Sequence, residues 1–262
     1  MVVEFSAIND WLVQYILPFC RLSGMLISMA VISSRTVTPR VKILLALAIS
    51  IAATPMITID VKLELFSISM VIQILLQTLI GIGVGFITRL VFETFVIAGQ
   101  VIAMQTGLGF ASLIDQNTGV SVPALGQMFV MMATLIFLSI DGHLRLIELV
   151  VLSFATLPIQ DSGLFFVQLD QMIYWAEMIF LTAFMMVLSA IVALLVMNLC
   201  LGVVTRSAPQ LNIFAVGFPI MTVVGLSIIW LLLRSFLPHF MNQMARGNEM
   251  VCQLLLMECA GG

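Results

Sequence analysis

Charge is what this chain has least of. Its 262 residues include 10 Lys or Arg and 13 Asp or Glu, only 9% in all. An ordinary soluble domain carries roughly 25%. A soluble fold of this length needs a polar skin, and so few charges cannot make one. The shortage excludes a soluble globular protein, a disordered chain and a nucleic-acid binder. What fills the space is apolar: 62% of residues are hydrophobic, and the mean hydropathy is +1.21. The chain is therefore an integral membrane protein, or one whose surface is mostly buried against partners.

Other absences narrow the chemistry. The four cysteines, Cys20, Cys200, Cys252 and Cys259, form no C-x-x-C pair and have no metal-ligand spacing. Cys20 and Cys200 lie in apolar runs and read as small hydrophobes. If the tail is helical, Cys252 and Cys259 stand about 10.5 Å apart, beyond disulfide reach. No Lys or Arg precedes Arg21, whereas Glu4 and Asp10 do, the wrong charge for a signal peptide. The first apolar segment is thus expected to stay in the mature protein. Gly81-x-Gly83-x-Gly85 lacks both a preceding strand and a following Lys-Ser/Thr, so it is no nucleotide loop. Gly81-x-x-x-Gly85 reads instead as a small-residue face for close helix packing, with Gly99, Ala103 and Gly107 continuing the pattern. His143 and His239 have no nucleophile and orienting acid beside them in sequence, so no enzyme and no cofactor is expected.

A spanning helix needs about 20 mostly apolar residues. Candidate segments are 11–32, 43–59, 65–87, 91–111, 122–140, 144–157, 178–204 and 213–237. They are long apolar runs without strand-like alternation, so the fold class is all-α and polytopic. Segment 43–59 is short; 144–157 is shorter still, carries Arg145 and Glu148, and reads as re-entrant or partner-covered. With eight crossings and the N-terminus outside, Arg35, Arg40, Lys42, Arg89, Arg145 and Arg206 fall inside. Only Lys62 and Arg246 then lie outside. If 144–157 does not cross, Arg206 moves outside. Arg21 and Arg234 lie within spans. Arg234 is near its helix end and can snorkel, while Arg21 calls for a partner carboxylate or a helix outside the bilayer. Arg89 and Glu93, four apart, suit a local ion pair.

The stretch 105–127 differs from its surroundings. Gly107, Gly109, Gly119, Pro123 and Gly126 interrupt helix continuity there. Phe110, Leu113 and Ile114 are apolar, yet they sit between spans. A surface turn would be shorter and more polar. Such a loop is either a connector packed on its own helices or a plug in a pore, closed by apolar side chains and moved on Gly hinges.

Several blocks resemble a known family. They are Arg40-Val-Lys42, the QTGLGFASLID stretch over 105–115, Asp141-Gly-His-Leu144, and Ala208-Pro209-Gln210-Leu-Asn212-Ile-Phe214 followed by Gly217-Phe-Pro219. In this order they resemble the FliR/SctT family of type III export-gate proteins, over about residues 11–237. The 208–219 block is the most specific, because its polar residues between two apolar helices are not required by hydropathy. Asp141 departs from the Asn expected in the family's Asn-Gly-His-Leu. Residues 238–262 carry no part of the resemblance.

The resemblance implies a flagellar export-gate subunit made of kinked helical hairpins. A FliP-like part with the plug loop would cover 1–172, a FliQ-like hairpin 173–237, and a C-terminal tail 238–262. It implies FliP-like, FliQ-like and FlhB-like partners, unfolded flagellar proteins as cargo, and membrane lipid, with no nucleic acid. The place implied is the inner membrane at the flagellar basal body, partly displaced toward the periplasm. The plug loop falls at about 106–122, with Gln105, Gly107, Leu108, Gly109, Phe110, Leu113, Ile114, Asp115 and Asn117 as its expected residues. Gln105 and Asp115 are expected to fix its resting position by hydrogen bonds. The competing readings are a small-molecule or ion transporter, which would need mid-membrane ionisable residues and an internal repeat, and a scaffold whose loop only packs.

Overall fold

A computed structural model of the chain describes residues 5–33, 37–57, 64, 67–110, 112–114, 121–159, 169–207 and 213–257. The class is all-α. In chain order the helices are α1 (Phe5–Ser28), α2 (Pro39–Ala53), α3 (Ile68–Gln105), α4 (Ala124–Ser139), α5 (Gly142–Thr156), α6 (Leu169–Ser207) and α7 (Ile213–Leu254). Between α3 and α4 lies a small antiparallel hairpin of β1 (Ser112–Ile114) and β2 (Ser121–Pro123), with Leu113 opposite Val122. Among the described residues, five helical stretches are long and apolar enough to cross a membrane: Trp11–Ser28, Pro39–Met56, Ile68–Gln105, Ile173–Ser207 and Gly217–Leu254.

The helix ends depart from the sequence expectation at three places. Segments 65–87 and 91–111 are one helix, α3, of 38 residues. Arg89 sits between them as a charge, but no Gly or Pro stands between Gly85 and Gly99 to end the helix, and it has a partner. No loop therefore exists at Arg89, and the topology built on eight crossings loses a crossing there, so the sides assigned to Arg145 and Arg206 no longer follow from it. Similarly, α7 runs through Pro238 to Leu254, so His239 is within a helix and Arg234 is far from its end. Arg234 is exposed, with its guanidinium 4.4 Å from the centre of the Trp230 ring. Finally, the tail is not helical throughout: α7 stops at Leu254, and Leu256 takes a left-handed φ of 54°. Cys252 is disulfide-bonded, whereas Cys20 and Cys200 are free. The separation that argued against a disulfide assumed a continuous helix. Cys259 lies outside the described residues.

The chain divides into two compact units that interleave in sequence. The first comprises Met1–Leu90, Phe137–Trp175 and Ala245–Gly262; the second comprises Val91–Ile136 and Ala176–Met244. In the first, Val13, Leu17, Ala53, Ile57, Met70, Phe154 and Ile159 form a buried apolar cluster. In the second, Phe95 packs on Phe236 and Phe240 at ring separations of 5.1 and 5.5 Å. Phe129 meets Phe236 edge-on at 5.4 Å, and Phe92 meets Phe240 edge-on at 6.3 Å. The edge-on pairs have the T-shaped geometry that the ring quadrupole favours, and the Phe95 pairs are tilted.

Candidate functional site

In the first unit, glycines bring α1 and α3 into backbone contact. A Cβ at Gly81 would meet the Arg21 carbonyl and lie 2.9 Å from Met25 N. One at Gly85 would lie 2.8 Å from Met29 N, and one at Gly24 would meet the Thr78 carbonyl. Real Cβ atoms do not approach backbone so closely, so only glycine permits this crossing.

The crossing places Arg21 opposite Gln77, one turn before Gly81 on the same face of α3. Arg21 is fully buried. Its Nε donates to Gln77 Oε1 at 2.7 Å, Nη1 to Ser153 Oγ at 2.8 Å, and Nη2 to the Leu157 carbonyl at 3.1 Å. Its guanidinium lies 3.9 Å from the centre of the Phe154 ring. Neutral acceptors and an aromatic face thus take the place of the carboxylate expected from sequence. Gln77 Nε2 is buried and has no hydrogen-bond partner among the described residues. The planar fork of Arg joins α1, α3 and the end of α5 in fixed directions, which a lysine could not do. Gln77 and Ser153 escaped the sequence reading. Their signal was present: each is polar within an apolar run.

Segment α5 itself is helical, opened by Asp141 in the left-handed region at φ 56°. Asn and Asp are the residues that best tolerate that conformation, so Asp141 serves the turn where the family has Asn. A Cβ at Gly142 would lie 2.5 Å from the Phe137 ring. Arg145 and Glu148 form an exposed ion pair at 2.8 Å.

In the second unit lies the base of the loop. A Cβ at Gly99 on α3 would lie 2.6 Å from Gly126 Cα at the start of α4. The two helices therefore touch backbone to backbone just below the point where the chain leaves α3 and returns in α4. The loop is a closed excursion with its ends pinned together. Among its described residues, a 3-10 turn at Leu108–Phe110 precedes the β1–β2 hairpin.

Gly107 does not continue the helical packing face of Gly99 and Ala103. It lies past the end of α3 with φ 77°, the left-handed position that follows a helix C-cap. Gln105 Oε1 is buried without a hydrogen-bond partner among the described residues, so the bond expected there is absent at that atom. Leu108 and Gly109 are half-buried. Asp115 and Asn117 lie outside the described residues, as do Ala208, Pro209, Gln210 and Asn212. Gly217 is buried in α7, and Pro219 is within the same helix and exposed. Among the described residues no group of three His, Cys, Asp or Glu could hold a metal ion.

The chain matches the family described as bacterial export proteins, family 1, over residues 12–247. That match extends beyond 237, where the resemblance in the sequence stops. The Flagellar biosynthetic protein FliR of Escherichia coli (strain K12) is 36% identical over 231 residues, 87% of each chain. The protein of the same name from Pectobacterium carotovorum subsp. carotovorum is 34% identical over 246 residues, 94% of each chain. That of Bacillus subtilis (strain 168) is 28% identical over 241 residues, 88% of this chain and 92% of its own. Full-length similarity of this kind, on an all-α chain with several apolar helices long enough to span, means that the chain belongs to the FliR family of bacterial export proteins.

Proposed function

We propose that the chain is a subunit of the flagellar type III export gate in the bacterial inner membrane, and that loop 106–122 plugs the path taken by unfolded flagellar proteins. Family membership carries the export role, and the pinned loop base carries the plug. The Gly99–Gly126 contact fixes the loop's two ends, so the segment between them can be displaced without unravelling α3 or α4. Gly107 supplies a backbone pivot at the start of the excursion.

Assembly with FliP-like, FliQ-like and FlhB-like proteins follows from the family and suits the outer surface of α6. There Phe180, Phe184, Met185, Leu195, Leu199 and Val203 are all exposed. Lipid or another subunit must cover them. The fate of Arg21 weighs against a solute transporter. This deeply placed cation is consumed by contacts within the chain, leaving no free charge there for a coupling ion or substrate.

The test is deletion of 106–122 in the co-purified complex. Ion conductance should rise while co-purification with FliP-like and FliQ-like subunits persists. Conductance at the wild-type level would remove the plug, and recovery only as a monomer would remove the gate.

A further inference from the structure

Two residues of α7 meet the first two residues of the loop. Thr106 is fully buried, and its hydroxyl donates to its own helix, with Ile102 and Ala103 carbonyls at 3.0 and 3.2 Å. That fixes the side chain and turns its methyl away from the helix. The methyl faces Gly225: a Cβ at Gly225 would meet Thr106 Cγ2 and lie 2.8 Å from Thr106 Cβ. Next in sequence, Gly107 lies beneath Phe218, where a Cβ would stand 3.2 Å from Cε2 of the ring. Gly225 and Phe218 are seven residues apart, two turns along one face of α7.

We infer that α7 latches the loop at its start, with Thr106 seated in the Gly225 notch and Gly107 held under the Phe218 ring, and that the loop leaves its resting position only when this contact parts. The inference rests on the plug reading and adds to it Gly225 and Phe218 as positioning residues. The contact is steric and apolar, with no hydrogen bond across it, so it can separate without leaving a polar group unpaired. Gly107 is already in a conformation that other residues avoid, so the pivot and the latch coincide at one residue. Phe218 is 52% exposed. Its ring therefore adds little to the core, and its removal tests the latch rather than the fold.

The experiment uses the whole assembled complex, with Cys20→Ser and Cys200→Ser and a reporter thiol at Leu108→Cys. Maleimide labelling of the reporter reads release of the loop start, and ion conductance reads leak. Phe218→Ala and Gly225→Ala are compared with deletion of 106–122. The latch requires faster labelling in Phe218→Ala and conductance severalfold above the parent, moving toward the deletion. Labelling and conductance at parental values in Phe218→Ala, beside a leaking deletion, would overturn the latch and leave the plug standing. Faster labelling with no leak in any variant, the deletion included, would overturn the plug and keep the contact. Should Gly225→Ala fail to assemble, Phe218→Ala decides alone.

Discussion

In the first unit a buried guanidinium makes three directed hydrogen bonds to groups on or beside α3 and α5. In the second, five phenylalanines pack between α3, α4 and α7, where Gln243 Nε2 also donates to Thr94 Oγ1 at a long 3.3 Å. Polar bonds fix distance and direction together, and a mismatch leaves a group unpaired. Aromatic packing tolerates small slides, because many weak contacts exchange for similar ones. The loop arises from the second unit. The loop proposed to shift during export thus rises from mainly aromatic packing that is able to yield, while the three bonds of Arg21 belong to the first unit.

The contrast can be broken most severely at its polar end. Arg21→Met should leave Gln77 Oε1 and the Leu157 carbonyl without the donor that Arg21 supplies, while Ser153 Oγ keeps its bond to the Val150 carbonyl. At roughly 1–3 kcal/mol for each unpaired group, the loss should be enough to prevent stable recovery, read as the midpoint of thermal or detergent unfolding. Arg21→Lys keeps the charge without the fork and should fall between Met and the parent. A Met variant as stable as the parent would remove directed bonding as the basis of the first unit.

Next in size is Gly85→Val, which drives a side chain into the α1 backbone at Met25 and Met29. It should cost about 1–3 kcal/mol as overpacking and separate α1 from α3, a change visible as faster labelling of Cys20. Smaller again is Phe236→Leu in the aromatic cluster. A smaller apolar side chain that its neighbours can partly repack around should cost about 1–2 kcal/mol and leave export unaltered. A loss as large as that of Arg21→Met would show the second unit to be no more tolerant than the first. Smallest is Glu148→Gln, which breaks an exposed ion pair. Such pairs contribute about 0–1 kcal/mol, so unfolding should move little, and raising the salt should erase the difference.

The places where sequence succeeded and failed have physical reasons. Long apolar runs announce helices, and most helices lie where the runs are. Arg89 misled because a charge resembles a loop, yet the backbone around it has no breaker and the side chain is partnered. Gly81 and Gly85 declared themselves by spacing within one helix. Gly225 did not, because its counterpart Thr106 is 119 positions earlier, and nothing local records the pairing. The partners of Arg21 are hidden in the same way, at separations of 56, 132 and 136 residues. The loop was legible as an interruption, through its glycines and Pro123. Its hairpin was not, since strands of three residues are too short to show an alternation.

The length of α6 has a consequence of its own. Apolar side chains stand outward from Ile173 to Val203, a distance of ~45 Å along a helix axis at 1.5 Å per residue. The hydrocarbon slab is ~30 Å thick. Even a helix tilted by 40°, the upper end of what is seen, keeps only ~40 Å of its length inside. Lipid alone therefore runs out before the greasy stripe does. The remainder has to meet another protein surface or stand in water, so an isolated copy of this chain would carry a built-in reason to aggregate, and a partner surface would serve as its missing solvent.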